Sequence, residues 1–171
     1  MMKRLTYLLL GVVMAACSSI DCPVQSTVAT LYQVCDSTGT QMALSDTMTV
    51  VSARQDGTEA TLIDGQDATL YNKGFGLKEF TLPISYKHPE DVLVFHFDNS
   101  NNKDLHVTDT VWIKKEDYPH FESVDCSAAF FHTITDVKFT RHYIDSIVIK
   151  NPSVTYDSQT VHFYLYPKSS N

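Results

Sequence analysis

The sequence predicts an all-β fold, either a sandwich or a barrel. The chain beyond residue 17 is rich in Thr, Val, Tyr, Phe and Ile, and no segment has a long helical period. Turn-forming residues interrupt the apolar runs at short intervals, which is typical of sandwiches and barrels. With 43% apolar and 19% charged residues over 171 positions, the chain is neither disordered nor a multispanning membrane protein.

Apolar alternation and short apolar runs predict nine strands. The run 92–97 is apolar at nearly every position, as expected for a strand covered on both faces. Asp56-Gly57 and Asp64-Gly65 supply the positive-φ residue of tight turns, and Asn151-Pro152 ends a strand. A short turn around 115–118 is the only helical feature expected. The nine strands lie near residues 27–35, 47–53, 68–72, 79–84, 91–98, 107–115, 124–135, 143–150 and 160–166 and form one domain over 24–167.

The N-terminus has the three parts of a secretory signal. Lys3 and Arg4 precede a mostly apolar run over 5–14, which is too short to span a bilayer as a permanent helix. The small residues before Cys17 resemble a bacterial lipobox, which is cut before Cys17 and lipidated on the Cys17 thiol. An ordinary signal peptide cleaved after Ala16, or a short anchor, is the alternative.

The lipobox interpretation divides the chain into a signal peptide (1–16), the lipidated cysteine and a short tether (17–23), the domain, and a tail (168–171). By resemblance to other lipoproteins, Ser18 implies an outer membrane lipoprotein, on the periplasmic or the cell-surface face. Cleavage removes two basic residues and so lowers the formal charge from −7 to −9. This acidic balance argues against nucleic acid as a partner, and it predicts tethering by the lipid without adsorption to anionic headgroups.

Three cysteines remain after lipidation, namely Cys22, Cys35 and Cys126. The compartment beyond the inner membrane is oxidising, so we expect one disulfide and one free thiol, with three pairings open. We favour Cys22 with Cys126, because this bond would fasten the start of the domain to its body. No C-x-x-C spacing occurs in the sequence, which excludes a zinc ribbon and a thioredoxin-like motif.

One polar run loosely resembles a calcium loop, although we predict no metal and no cofactor. Lys103 stands where such a loop requires glycine, and no helices flank the run, so a polar connection between two strands explains it better. The seven histidines show no metal-binding spacing. The weak calcium candidates are Asp98, Ser100, Asn102, Asp104 and Asp109.

The sequence contains no catalytic motif. A G-x-S-x-G elbow is absent, and no basic residue adjoins Cys35 to activate its thiol. A hydrolase with a pair of catalytic carboxylates remains an open alternative, because the fold can bring together two carboxylates that are distant in the sequence. Several tyrosines lie near the C-terminus, at Tyr156, Tyr164 and Tyr166, where they could stack on sugars, anchor a protein or pack in the core.

Short motifs along the mature chain resemble a family of small Bacteroidota lipoproteins of unknown function. The motifs are Asp21-Cys22-Pro23, the segment 80–84, the segment 109–113, Val124-Asp125-Cys126-Ser127 and the segment 144–152. The resemblance implies an immunoglobulin-like antiparallel β-sandwich of about eight or nine strands, stapled by Cys22 and Cys126. It implies no catalytic residues.

From these observations we expect a non-enzymatic, lipid-anchored protein that binds or scaffolds an envelope protein or polysaccharide. A glycan-binding accessory lipoprotein is the second hypothesis, and an envelope hydrolase is the third. An acidic cluster is expected to set the choice of partner, formed by Asp91, Asp98, Asp104 and Asp109.

Overall fold

The computed structural model describes residues 28–60, 68–99, 106–121, 123, 126 and 128–168. These residues form two packed β-sheets. Within the described ranges there is no helix that is long and apolar enough to cross a membrane. The strands are β1 (Ala29–Val34), β2 (Thr47–Ala53), β3 (Thr69–Gly74), β4 (Glu79–Pro83), β5 (Glu90–Asp98), β6 (His106–His120), β7 (Ala129–Phe139), β8 (Ile144–Ile149), β9 (Ser153–Val154) and β10 (Val161–Pro167).

One sheet has four strands in the order β4-β1-β10-β8, and the other has six in the order β3-β2-β5-β6-β7-β9. All neighbouring strands are antiparallel except β1 and β10, which run parallel, with Val34 opposite Leu165. The expectation of an entirely antiparallel sandwich is therefore wrong for this pair. The two strands come from opposite ends of the domain, so no hairpin forces them to be antiparallel.

Each of the nine predicted strands is present, and a two-residue strand, β9, brings the number to ten. The helical turn predicted at 115–118 is wrong, because these residues belong to β6 and pair with residues 131–134 of β7. A bulge between Lys114 and Lys115 permits this pairing. β7 also continues to Phe139, beyond its predicted end, since Phe139 pairs with Val111.

An aromatic stack joins the two sheets. The ring of Tyr32 on β1 stacks on Phe80 of β4 at 4.9 Å and on Phe163 of β10 at 4.7 Å. The edge of Phe95 on β5 meets the Tyr32 ring at 6.4 Å, which links the four-stranded sheet to the six-stranded one. Such offset and edge contacts add stabilisation to the apolar area they bury. As predicted for a strand covered on both faces, residues 92–95 of β5 are all buried.

Candidate functional site

A groove of about 690 Å³ lies at one end of the outer face of the four-stranded sheet. Its floor comes from neighbouring strands, because Tyr166 of β10 pairs with Ser146 of β8 and Val148 lies beside them. Alternation along β10 explains the floor. Phe163 and Leu165 are buried in the core, so Tyr166 lies on the opposite face of its strand, toward the outside.

The turn after β1 forms one wall of the groove. The Oδ1 atom of Asp36 accepts hydrogen bonds from the Thr38 hydroxyl (2.6 Å) and from the backbone N–H groups of Thr38 and Thr40 (2.9 Å each). These bonds, that of the Thr38 hydroxyl first, lower the pKa of the Asp36 carboxyl below its ordinary value. Gly39 adopts the positive φ of 83° that closes the turn. The Asp36 carboxylate therefore stabilises the turn through hydrogen bonds within the wall itself.

Two charged residues lie at the rim of the groove. The ammonium of Lys168 donates to the carbonyl of Arg141 at 2.7 Å, so it is held at one end. The carboxylate of Asp145 has no hydrogen bond or ion pair with the part of the chain that the structure describes. The groove therefore combines a partly exposed phenol ring, hydroxyl groups, one carboxylate and one ammonium.

The three C-terminal tyrosines do not form one flat platform. Tyr164 and Tyr166 lie on the same face, but their rings are 6.5 Å apart and nearly perpendicular, at 86°. Lys150 covers the Tyr164 ring at 5.5 Å from its centroid. Tyr156 packs instead edge-on against Phe131 of the six-stranded sheet, at 4.9 Å. Only Tyr166 lines the groove.

A second concentration of titratable groups, here called the Lys115 cluster, consists of Lys115, Asp117, His132 and Asp91. The ammonium of Lys115 donates to Oδ1 of Asp117 at 3.0 Å and to the carbonyl of His88 at 2.6 Å. The same Oδ1 atom lies 2.6 Å from Nδ1 of His132. Burial lowers the pKa of His132, although the hydrogen bond to Asp117 opposes this shift.

Lys115 and His132 are the buried members of the Lys115 cluster, whereas Asp91 lines a small cavity of about 140 Å³. The side chain of Lys115 has no exposed surface and His132 is 3% exposed. Asp91 accepts a hydrogen bond from the backbone N–H of Ser85 at 2.9 Å, and burial raises the pKa of its carboxyl. Because Ser85 and His88 belong to the β4–β5 loop, the cluster fastens this loop to β6 and β7.

The expected acidic cluster is wrong for Asp109, which is fully buried. Its Oδ1 atom accepts from the Thr140 hydroxyl (2.6 Å) and from the backbone N–H of His142 (2.8 Å). Its Oδ2 atom accepts from the backbone N–H groups of Tyr143 and Ile144, both at 2.8 Å. Burial raises the pKa of Asp109, but these hydrogen bonds outweigh it, so the net shift is downward. Asp109 thus anchors the chain where it passes from β7 to β8.

Asp98 and Asp91, the other acidic candidates that the structure describes, have different partners from those of Asp109. Asp98 lies 2.6 Å from Nδ1 of His106, and Asp91 belongs to the Lys115 cluster. Ser100, Asn102 and Asp104 lie outside the described residues, so the weak calcium loop has no described geometry. Across the described ranges, no group of three or more His, Cys, Asp or Glu side chains could hold a metal ion.

Among the cysteines, Cys35 is a free and buried thiol. Cys17 and Cys22 lie outside the described residues. Lipidation of Cys17 and pairing of Cys22 with Cys126 therefore stay predictions.

Sequence reasoning missed the groove because the groove depends on the register of β10 and β8 and on the position of the turn after β1. One local signal was available. Asp145 is the one charged residue of β8, whose sequence is otherwise apolar except for Ser146, and a charged residue at an outward position marks an exposed edge.

The chain is thus an all-β protein of two packed sheets with a polar, tyrosine-floored groove on one outer face. Residues 47–167 match DUF6452, a family of unknown function, and the chain belongs to this family. The matched region contains both floor strands of the groove and ends at the last residue of β10. No curated protein and no solved structure matches the chain.

Proposed function

We propose that this chain is a lipid-anchored cell-envelope protein whose role is to bind or scaffold another envelope component without catalysis. Anchoring is supported by the lipobox-like segment that ends at Cys17. Two acyl chains on one residue provide the stable attachment that a single chain does not. An outer membrane location follows from the same resemblance.

The groove on the four-stranded sheet is the observation that carries the binding role. It exposes Val148 and part of the Tyr166 ring beside the charged side chains of Asp145 and Lys168. Aromatic and aliphatic groups beside a few polar ones are typical of recognition surfaces. A non-catalytic role is supported by the bracing function of Lys115, whose fully buried ammonium is used to hold the β4–β5 loop through the carbonyl of His88.

Site-specific photo-crosslinking in intact cells tests this proposal. We expect a photoreactive residue at Val148 to give one defined adduct, and a photoreactive residue at Phe75 to give none. Phe75 is the matched control because it is also highly exposed but lies outside the groove. The same adducts from both positions, or no adduct from position 148, would contradict a binding role for the groove.

In the same cells, Cys17→Ala should release the protein from membranes, and unchanged retention would contradict anchoring.

Glycan binding is the second candidate function, and the composition of the groove favours it. Tyr166 offers a ring on which a sugar can stack, and the Asp145 carboxylate can accept hydrogen bonds from sugar hydroxyls. Because the groove is lined by one carboxylate (Asp145) and one ammonium (Lys168), its formal charges cancel, and a neutral polysaccharide fits better than an acidic one.

Affinity electrophoresis in gels that contain glycogen, laminarin or mannan tests this second function. We expect one neutral polymer to retard the protein and Asp145→Asn to abolish most of the retardation. Glu79→Gln, at an exposed position of β4 on the same sheet but outside the groove, is the matched control. If none of the three polymers retards the protein, the groove does not bind neutral glycans of these types. An envelope hydrolase is the least favoured candidate.

The structural part of this proposal is an immunoglobulin-like arrangement of the strands. Two packed sheets and repeated crossing of the chain between them support it. The uninterrupted run β5-β6-β7 within one sheet and the two-residue strand β9 depart from that pattern. We expect an experimental structure to show a strand order that matches that of immunoglobulin domains. A different strand order would contradict this part of the proposal.

A further inference from the structure

Exposed aromatic side chains concentrate at one end of the six-stranded sheet, here called the hairpin tip. The tip comprises residues 118–121, at the end of β6 and just beyond it, and residues 129–131, at the start of β7. Five large apolar side chains are highly exposed in the described part of the chain. Tyr118 (48%) and Phe121 (63%) lie in the tip itself. Tyr86 (51%) also lies there, because its ring stacks on Phe130 at 4.8 Å.

Both faces of the hairpin tip carry rings. Tyr118 pairs with Phe131 on one face, where the ring of His120 also stacks on Phe131 at 4.3 Å. Pro119 and Phe130 pair on the opposite face, where Tyr86 lies. The hydroxyl of Tyr118 donates to the carboxylate of Glu116, which lies two residues earlier on the same strand. The ring of Tyr118 therefore lies on a paired strand, and the ring of Tyr86 packs on Phe130 of the neighbouring strand.

The predicted disulfide would bring the proposed lipid anchor close to this tip. Cys126 lies between the two segments of the tip in the sequence, and its predicted partner is Cys22. Cys22 follows the lipidated Cys17 by five residues, a segment that spans at most roughly 18 Å when fully extended. With both predictions, the lipidated residue lies within roughly 18 Å of the predicted disulfide. That disulfide would fasten the tether to the tip.

We infer that the hairpin tip contacts the lipid surface in which the protein is anchored, and this inference rests on the proposed function. Aromatic rings with an apolar body and a polar edge are enriched at the interface between membrane and water. Contact through the rings of Tyr86, Tyr118 and Phe121 needs no positive charge. It is therefore compatible with the acidic balance of the domain, which disfavours anionic headgroups.

This contact would also orient the groove away from the membrane. β7 leads from the tip at Ala129 to Phe139, and a strand of this length spans roughly 33 Å at 3.3 Å per residue. The hydrogen bonds of Asp109 hold Ile144 near the far end of β7. Asp145, at the rim of the groove, is the next residue. The groove is thus presented at the end of the domain opposite the tip.

Fluorescence quenching of the full-length lipoprotein in phosphatidylcholine vesicles tests the inference. Phe121→Trp and the control Phe75→Trp are each made with Trp112→Phe, so that each protein has one tryptophan. Both probes replace highly exposed phenylalanines, but only Phe121 lies in the hairpin tip. Brominated phosphatidylcholine should quench the probe at 121 at least about twofold more than the probe at 75, with a blue-shifted emission at 121.

Each outcome of this experiment decides the inference. Equal quenching of the two probes in protein that sediments with the vesicles overturns contact by the tip and leaves the anchor intact. Protein that fails to sediment with the vesicles overturns the anchoring itself, and the inference with it. Tyr118→Trp provides a second position in the tip, and the inference requires the same result there.

Discussion

The ammonium of Lys115 lies 3.0 Å from Oδ1 of Asp117, and the side chain of Lys115 is completely excluded from solvent. The two residues are alternate positions of β6, so they lie on one face of the strand. The bulge between Lys114 and Lys115 immediately precedes them. Since Lys115 also donates to the carbonyl of His88, one buried cation joins β6 to the β4–β5 loop.

Removing this cation should destabilise the domain strongly. Lys115→Met leaves the Asp117 carboxylate without its ammonium and the His88 carbonyl without its donor. Breaking a buried ion pair from one side typically costs about 3–5 kcal/mol of unfolding free energy. Urea denaturation followed by Trp112 fluorescence measures the loss. Lys114→Met is the matched control, because Lys114 is exposed, and it should change the unfolding free energy by less than about 0.5 kcal/mol. Equal stability of the two variants would contradict a bracing role.

Replacement of Asp109 should also be costly. In Asp109→Asn, an amide NH₂ takes the place of one carboxylate oxygen and faces backbone N–H groups that have no other acceptor here. We expect a loss of at least about 2 kcal/mol of unfolding free energy, since each buried donor left unpaired costs about 1–3 kcal/mol. Thermal unfolding by circular dichroism is the measurement. Asp98→Asn, whose carboxylate is 41% exposed, should be nearly neutral. An Asp109→Asn protein as stable as Asp98→Asn would refute this anchor.

The stability of the domain should fall in mild acid, in part because of His162. Nδ1 of His162 accepts the backbone N–H of Leu31 at 3.0 Å, so the ring must stay neutral to keep this bond. Burial lowers the pKa of His162 below its ordinary 6.5, whereas the charge of Asp157 opposes the shift. As the pH falls below about 6.5, the unfolded chain binds the proton first, and stability is lost.

Two variants isolate the contribution of His162. Asn can replace the Nδ1 acceptor with its amide oxygen but does not titrate, so His162→Asn should lose less stability between about pH 7.5 and 5.5 than the unsubstituted protein. His106→Asn, at an exposed position, should retain the full dependence. Urea denaturation across this range is the measurement. An unchanged pH dependence in His162→Asn would assign the effect to other groups, with His132 the first candidate.

The disulfide prediction is checked by peptide mapping without reduction. We expect one linked pair of peptides that contains Cys22 and Cys126, and alkylation of Cys35 only after unfolding, because its thiol is buried. Closing a loop of this length stabilises the folded state by about 4–5 kcal/mol in the chain-entropy model. Cys126→Ser should therefore lower the melting temperature. A linked peptide that contains Cys35 would show that the favoured pairing is wrong.

The sequence predicted the β-strands well because their signal is local. Apolar alternation and turn residues located the nine longer strands, including the doubly covered β5. It missed β9, which is only two residues long, and it mistook residues 115–118 for a turn. The polar run Lys114-Lys115-Glu116-Asp117 has no apolar alternation. It is a strand only because β7 and the β4–β5 loop supply partners for its backbone and its charges.

The sequence by itself determined the all-β class. It also contains no recognised catalytic motif, and it provides the evidence for the lipobox. All of these features depend on residue types and on short spacings. Tertiary structure decided which polar residues are available for binding. Asp109 and Asp145 are both acids within strand-rich segments, yet one is fully buried and the other is exposed at the groove. The difference arises because burial of a carboxylate requires hydrogen-bond donors close in space. The fold brings residues 140–144 to Asp109 across more than thirty positions of sequence, and within the described residues it brings no donor to Asp145.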